Sequence, residues 1–258
     1  MQGIADYEFI KQLGSGNHGY FYLARRPARV PVDVEFVAVK VMAGESSGTT
    51  FRRATRELTA FAAVRSPYLV APYDAGQQDG IFYYSMEYLP DGSLADRPAP
   101  PEVVIRALID AARATADLHD AGIVHRDIKP GNILLHGGGA KLSDLGLAQI
   151  FTEGVTITGM GDIGSVQFMD PAMLMGESAH PDHDVWSLAA TLHHQLTRAG
   201  LYGDMSGKDG LLILRHILGT LPCLAPGLPT LVHELIAECL GPHRPTASDF
   251  ANRLAALA

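Results

Sequence analysis

The stretch HRDIKPGN at residues 125–132 brings an acid, two cations and a side-chain amide together within one short segment. These side chains suit a phosphoryl transfer from a metal-bound nucleotide to a hydroxyl. Asp127 can accept the proton of an attacking alcohol, Lys129 can neutralise charge on the moving group, and Asn132 can hold a magnesium ion. A match this short can arise by chance, so the prediction depends on the residues that flank it.

A second acidic residue follows downstream. Asp144-Leu145-Gly146 begins twelve residues after Asn132. A carboxylate at the end of a strand can reach Mg²⁺, and a following glycine lets the backbone turn sharply. These residues predict that Asn132 and Asp144 form a magnesium site.

A glycine-rich stretch near the N-terminus, Gly14-Ser15-Gly16-Asn17-His18-Gly19, fits the pattern G-x-G-x-x-G. A dinucleotide-binding fold would require these glycines between a strand and a helix. Here the aromatic-rich residues 20–24 follow and predict a second strand, so we expect a flap over phosphates. Residues 37–40 then predict a strand that ends in Lys40, a candidate phosphate ligand; the alternative is a solvated cation at a strand end.

With these motifs in this order and spacing, the chain resembles the eukaryotic-like (Hanks-type) protein kinase family, most closely the bacterial serine/threonine kinases. The resemblance extends from Tyr7 to Leu254. It implies an α+β fold with two lobes, a β-rich N-lobe that contains the helix called αC and a mainly helical C-lobe. We expect the lobes to span residues 1–87 and 88–258 and to form one catalytic domain. The implied cofactors are ATP and Mg²⁺, with Mn²⁺ as an alternative ion.

By this resemblance, Lys40 contacts the α- and β-phosphates and pairs with a glutamate on helix αC. Glu57 is the candidate, because residues 51–58 predict a helix that ends before Pro67. Glu57 could instead form an i,i+4 ion pair with Arg53 on the helix surface. We favour the pairing with Lys40, since Pro67 stands where the family has a proline after this helix.

The resemblance also assigns the adenine-binding residues. Residues 81–89 predict a buried strand that runs into a turn, and the family places its hinge there. Met86 would be the gatekeeper, a position that core packing alone would also explain, and backbone groups of Glu87 and Leu89 would hydrogen-bond the adenine edge. The other implied nucleotide-binding residues are Gly14, Ser15, Gly16, Asn17, Gly19, Phe21, Ala38, Lys40 and Leu134.

Lys129 and the downstream pair Gly164-Ser165 resemble the pattern of serine/threonine kinases. In that pattern Ser165 takes the position that hydrogen-bonds Asp127 and Lys129. The resemblance therefore implies protein substrates that are phosphorylated on Ser or Thr.

Arg126 precedes the catalytic aspartate, and the family uses this arginine to grip a phosphothreonine on the activation segment. That segment would run from Asp144 to Ala172, and Thr156 and Thr158 are the candidate autophosphorylation sites. The alternative is an exposed polar loop without modification. A homodimer for autophosphorylation in trans is compatible with the family, but nothing in the sequence indicates one.

Three residues depart from the family pattern. Phe21 replaces a valine and could stack on the base or narrow the pocket, and Leu145 replaces the phenylalanine of the D-F-G triplet. Ala172 stands where the family has a glutamate that pairs with a buried arginine, which is Arg244 here. Because an unpaired buried guanidinium is costly, either Asp170 substitutes for the glutamate or the segment is looser than usual.

Asp184 resembles an aspartate that accepts backbone amides from the catalytic loop, and its alternative role is that of a helix N-cap. Four nearby histidines, His180, His183, His193 and His194, could suggest a metal site. We disfavour it, because adjacent residues on a helix face different directions.

The charge is unevenly distributed along the 258 residues, whose net charge is −8. Residues 1–87 hold 9 Lys and Arg against 9 Asp and Glu, whereas residues 88–258 hold 11 against 19. A basic stripe for nucleic acid is absent from the sequence, which argues against that class of partner. The acidic half could favour cationic peptides or could simply maintain solubility.

The two cysteines, Cys223 and Cys239, form no disulfide framework, and no apolar run approaches the roughly 20 residues of a membrane span. We therefore predict a cytoplasmic protein without a membrane segment in this chain, either a complete kinase or the cytosolic domain of a longer protein.

Two classes of function remain at this point, an active kinase and a pseudokinase that acts as an ATP-binding scaffold. The chain retains Lys40, Glu57, Asp127, Asn132 and Asp144, and a degraded kinase would usually have lost one of them. We therefore favour the active enzyme.

Overall fold

A computed structural model gives the structure of the chain and describes residues 2–16, 19–44, 48–144, 163–205 and 209–257. Asn17, Leu145, Thr156 and Thr158 lie outside these residues. The described residues form two compact units. The first comprises those up to residue 63 together with Val70–Leu89, and the second comprises Val64–Leu69 with residues 90–144 and 163–257.

The first unit is built on an antiparallel sheet. Its strands are β1 (Gly3–Ile4), β2 (Tyr7–Gly16), β3 (Gly19–Arg25), β4 (Phe36–Met42), β5 (Pro72–Gln78) and β6 (Ile81–Met86). They are ordered β1-β2-β3-β4-β6-β5, so the two strands that follow the glycine-rich stretch lie at the centre. The predicted order of strand, glycine turn and strand is confirmed, since β2 and β3 pair directly.

Strand β4 separates a hydrophobic core from the face that carries Lys40. Val37, Val39 and Val41 belong to one buried cluster together with Tyr7. Because successive side chains of a strand point to opposite faces, Lys40 lies on the face opposite to these valines.

Helix α1 (Gly48–Ala63) completes the first unit and packs near β5. Its buried residues Ala54, Leu58 and Phe61 recur at helical spacing, which explains why this polar segment binds the sheet along one side only. The predicted helix at residues 51–58 is confirmed, and it extends further at both ends.

The second unit is mainly helical. Its helices are α2 (Pro101–Asp120), α3 (Ile163–Val166), α4 (Pro171–Leu174), α5 (Pro181–Thr197), α6 (Gly210–Gly219), α7 (Thr230–Cys239) and α8 (Ala247–Ala255). A hairpin of β7 (Ile133–His136) and β8 (Gly139–Leu142) packs with α5 and α8 around α2. None of the helices that the structure describes combines the length and the apolar character needed to cross a bilayer.

Helix α2 ends at Asp120, five residues before the HRDIKPGN stretch begins at His125. Gly122 adopts φ +73°, its N–H donates to the His119 carbonyl, and the Ile123 N–H donates to the Leu118 carbonyl, both at 2.9 Å. This is a Schellman motif, in which a glycine in the left-handed conformation satisfies the last carbonyls of a helix. Helix α2 is therefore bounded by Pro101 at its start and by the Gly122 motif at its end.

Candidate active site

One buried carboxylate holds the start of the catalytic loop, residues 125–132. Asp184 on α5 is only 1% exposed, and it accepts the backbone N–H groups of His125 and Arg126, both at 2.8 Å. Its Oδ2 also lies 2.8 Å from His119 Nε2 at the end of α2. His180 rather than Asp184 caps α5, so the predicted loop-holding role of Asp184 is observed and the N-cap alternative is not.

The backbone of this loop contains a strained residue. Arg126 has φ +70°, a conformation that costs a side-chain-bearing residue about 1–3 kcal/mol. The hydrogen bond from its N–H to Asp184 helps to fix that conformation. Asp144 has φ +60° and is strained in the same sense. Such residues cluster at functional sites, which agrees with the roles predicted for this pair.

Asp127, Lys129, Asn132 and Ser165 form a connected polar cluster. Lys129 Nζ lies 3.0 Å from Asp127 Oδ2 and donates to Ser165 Oγ at 3.1 Å. Asn132 Nδ2 donates to the Asp127 carbonyl at 2.7 Å and to Asp127 Oδ2 at 3.0 Å. The Asp127 carboxylate is therefore held in a fixed orientation by an ammonium and an amide.

His125 is completely buried and hydrogen-bonds to the backbone of the catalytic loop and of Ser143. Its Nε2 lies 3.0 Å from the Ser143 carbonyl, and its Nδ1 accepts the Asp127 N–H at 3.3 Å. These partners select the tautomer with the proton on Nε2. Burial lowers the pKa of His125, so the ring is neutral and acts as a structural bridge between the loop and the end of β8.

The proposed magnesium ligands are brought close by the backbone. The Ser143 N–H donates to the Asn132 carbonyl at 2.8 Å, and this bond sets Asp144, the next residue, beside Asn132. Because Asn132 Nδ2 donates to Asp127, its Oδ1 is the atom left to bind a cation. A carboxylate and an amide oxygen fit Mg²⁺, which commonly takes one or two protein ligands and completes its shell with phosphates and water.

In the first unit, Gly19 shows why the glycine-rich hairpin requires glycine. It adopts φ +140°, and a Cβ atom there would lie 2.0 Å from the Val41 carbonyl oxygen. Gly16 pairs with Gly19 and Gly14 with Phe21, so the described glycines of this stretch lie where β2 and β3 meet. Backbone amides of a glycine-rich connection between two strands can bind phosphate oxygens.

Lys40 is 8% exposed, which rules out the alternative of a solvated cation at a strand end. Its Nζ lies 4.8 Å from the ring centroid of Phe21. Glu57 lies on α1, and its Oε1 is 3.6 Å from Arg53 Nε, so the i,i+4 alternative forms in the structure. Its pairing with Lys40 stays a prediction.

Comparison with known proteins identifies the family of the chain. The family described as a protein kinase domain matches residues 7–240.

The chain belongs to the protein kinase family.

It is 31% identical over 245 residues to the serine/threonine-protein kinase PknF of Mycobacterium tuberculosis (strain ATCC 25618 / H37Rv), covering 88% of this chain and 50% of that protein. It is 30% identical over 244 residues to the serine/threonine-protein kinase PrkC of Bacillus subtilis (strain 168), covering 90% of this chain and 37% of that protein. The chain thus spans half or less of the length of these relatives. The kinase domain of M. tuberculosis PknI has the same fold, with a TM-score of 0.72, 21% identity and coverage of 99% and 98%.

The residues predicted to form the hinge have the expected local structure. Met86 is buried at the end of β6 and pairs with Ala38 on β4. The Glu87 N–H donates to the Ala71 carbonyl at 2.8 Å, so the carbonyl of Glu87 is its candidate contact to an adenine. Leu89 is buried in the first unit, and Leu134 is half-buried on β7 of the second. Their contacts with a nucleotide stay predictions.

Asp170 takes the place of the glutamate that the family pattern has at Ala172. Asp170 Oδ2 forms an ion pair with Arg244 Nη1 at 2.5 Å, and the two side chains are 4% and 13% exposed. Arg244 also donates to the Asp182 and Gly241 carbonyls, and its guanidinium lies 5.1 Å from the Trp186 ring centroid. Of the two alternatives posed by the sequence, substitution by Asp170 is the one observed.

Two residues that contact the candidate site residues, one in each unit, were not predicted from the sequence. His119 contacts Asp184 from the last turn of α2, and Tyr84 pairs with Lys40 across β6 and β4. For His119, the sequence does offer a signal, because a histidine stands in the last turn of the helix that Gly122 ends. Nothing in the sequence distinguished Tyr84 from an ordinary core residue of its strand.

Proposed function

We propose that this chain is a serine/threonine protein kinase that transfers the γ-phosphoryl group of Mg²⁺-ATP to Ser or Thr hydroxyls of proteins. The observation that carries the proposal is the cluster in which Asp127 contacts Lys129 and Asn132 while Lys129 also binds Ser165. A carboxylate oriented by an ammonium and an amide matches the needs of a group that receives an alcohol proton.

Each residue of the cluster has a separate task. Asp127 orients the incoming hydroxyl and takes its proton, and Lys129 neutralises charge that develops on the transferred group. Ser165 holds the Lys129 ammonium beside Asp127. Asn132 and Asp144 would hold Mg²⁺, which when bound neutralises the phosphates and orients them.

The residues of the first unit would bind the nucleotide. Lys40 contacts the α- and β-phosphates and pairs with Glu57, and the amides of residues 14–19 cover the phosphates. The adenine lies at Met86 and contacts the backbone of Glu87 and Leu89. Support comes from the burial of Lys40 and from the hairpin form of the glycine-rich residues.

Regulation would act through the activation segment. Arg126 binds a phosphate placed on Thr156 or Thr158, because a guanidinium forms strong bidentate bonds to phosphate oxygens. Autophosphorylation in trans would require two copies of the chain. We assign the enzyme to the cytosol, where ATP and a divalent ion, Mg²⁺ or Mn²⁺, are present together.

The test is mass spectrometry of the purified chain after incubation with Mg²⁺-ATP, beside an Asp127→Asn variant. Asn cannot accept the hydroxyl proton, so we expect phosphate on Thr156 or Thr158 of the wild type and at least a hundredfold slower labelling of the variant. Asp120→Asn removes the same charge from the exposed end of α2 and serves as the matched control.

An unlabelled wild type that still binds ATP would contradict the proposal and favour the ATP-binding scaffold instead. Equal loss of labelling in the Asp120→Asn control would show that net charge, rather than the base, is responsible.

A further inference from the structure

Phe21, Lys40 and Tyr84 form a row across the sheet of the first unit. The register pairs Phe21 on β3 with Lys40 on β4, and Lys40 with Tyr84 on β6. Residues paired directly across strands share a face of the sheet. Lys40 Nζ lies 4.8 Å from the ring centroid of Phe21 and 6.0 Å from that of Tyr84, so both rings are within reach of a cation–π interaction.

The two rings differ in how firmly they are held. Tyr84 is buried and lies 6.3 Å, centroid to centroid, from Phe82, which in turn packs edge-on at 5.8 Å against Phe51 of α1. Phe21 is only half-buried and stands five residues after Gly16 on the strand that leaves the glycine hairpin. The Tyr84 ring is thus held in place by its aromatic neighbours. The Phe21 ring is held less firmly, and its contact with Lys40 can be changed by substituting this one residue.

The position of the Lys40 ammonium matters because lysine has four rotatable bonds. When Lys40 binds a phosphate, its side chain loses conformational entropy, which weakens binding. A ring that already holds the ammonium in place reduces this entropy loss. The attraction is strongest where the ammonium is shielded from water, and Lys40 is 8% exposed. A valine, which the family pattern has at this position, offers no aromatic face for this purpose.

We propose that Phe21 is a positioning residue that holds the Lys40 ammonium in place for the nucleotide phosphates. Tyr84 provides the second aromatic ring within reach of this ammonium. This role rests on the proposed function, in which Lys40 binds phosphate. It differs from stacking on the adenine, because it acts through Lys40 and depends on the phosphates.

The test compares ADP and adenosine binding in variants of Phe21 and Lys40. Phe21→Leu keeps an apolar side chain but removes the ring, and Phe21→Tyr keeps the ring. We expect Phe21→Leu to weaken ADP binding by about three- to thirtyfold, as a partly shielded cation–π contact predicts. Adenosine binding is expected to change less than twofold, and Phe21→Tyr should retain wild-type ADP affinity. In a Lys40→Met background, Phe21→Leu should have no further effect on ADP.

Phe36→Leu is the matched control. Phe36 and Arg25 pair across the same two strands, and the Arg25 guanidinium lies 5.7 Å from the Phe36 ring centroid. This variant also removes a ring from a cation–π pair of β3 and β4, and we expect unchanged ADP affinity.

Nuclear magnetic resonance gives a second readout that requires no nucleotide. The chain has five lysines, so ¹³C-lysine labelling can resolve them individually. The ring current of Phe21 should shift the Hε protons of Lys40 upfield, and Phe21→Leu should remove most of that shift.

Equal weakening of ADP and adenosine by Phe21→Leu would overturn the proposal in favour of base stacking. A Lys40 signal that is unchanged by Phe21→Leu would also overturn it. A wild type that shows the expected pattern of binding and chemical shifts without transferring phosphate would overturn the proposed activity alone.

Discussion

Asp170 occupies the place of a carboxylate that the family pattern puts two residues later, at Ala172. The ion pair that it forms with Arg244 is almost completely buried. Removing one partner of such a pair leaves an uncompensated charge in the interior, which costs about 3–5 kcal/mol. We expect Asp170→Asn to lower the free energy of unfolding by that amount, measured by urea denaturation. Asn still caps α4, where Asp170 accepts the Ala172 N–H, so the loss reports mainly on the charge.

The control for this prediction is an ion pair on the surface of the same unit. Glu238 and Arg253 lie 2.8 Å apart, but their side chains are 44% and 43% exposed. Solvent screens such pairs, so Glu238→Gln should change the free energy of unfolding by less than about 1 kcal/mol. Similar losses in the two variants would contradict the assignment of Asp170 as a buried replacement for the missing glutamate.

The end of α2 is the element that leads into the catalytic loop, and its form depends on one glycine. A Cβ atom at Gly122 would meet nothing within 4 Å, so the only obstacle to a larger residue is the backbone angle of φ +73°. We expect Gly122→Ala to lower the free energy of unfolding by about 1–2 kcal/mol, which thermal or urea unfolding can measure.

The control for this prediction is Gly219 at the end of α6, which also has open space around it but no positive φ. Gly219→Ala should leave the free energy of unfolding unchanged or raise it by up to about 1 kcal/mol. If Gly219→Ala lowered it as much as Gly122→Ala does, the positive φ of Gly122 would not be the cause of the loss.

Much of the element order could be predicted from sequence because the signals are local. The aromatic residues after Gly19 predicted strand β3, and residues 51–58 predicted helix α1. The row of Phe21, Lys40 and Tyr84 could not be predicted in the same way. It depends on the register between strands separated by more than forty residues, and a shift of one residue would place Tyr84 on the other face.

For the molecule as a whole, the motifs and their order were sufficient to suggest the resemblance to the family and the two-lobed fold it implies. The replacement of the missing glutamate was left open, since it requires that Asp170 and Arg244, which are 74 positions apart, come into contact. Sequence spacing indicates which residues the family uses, but it contains no distances between them. The structure was therefore needed to choose between an unpaired Arg244 and a substituted pair.

The uneven charge leads to a prediction about substrates that rests on the proposed activity. Residues 88–258 hold 11 Lys and Arg against 19 Asp and Glu, while residues 1–87 are balanced at 9 against 9. An acidic surface attracts cationic peptides over a distance that shrinks from about 14 Å at 50 mM salt to roughly 4 Å at 500 mM. We expect kcat/KM for an Arg-flanked Ser peptide to fall at least fivefold between these salt concentrations, while kcat changes little. A neutral peptide with the same phosphoacceptor should lose less than twofold. Equal salt dependence of the two peptides would mean that the acidic half serves solubility rather than substrate choice.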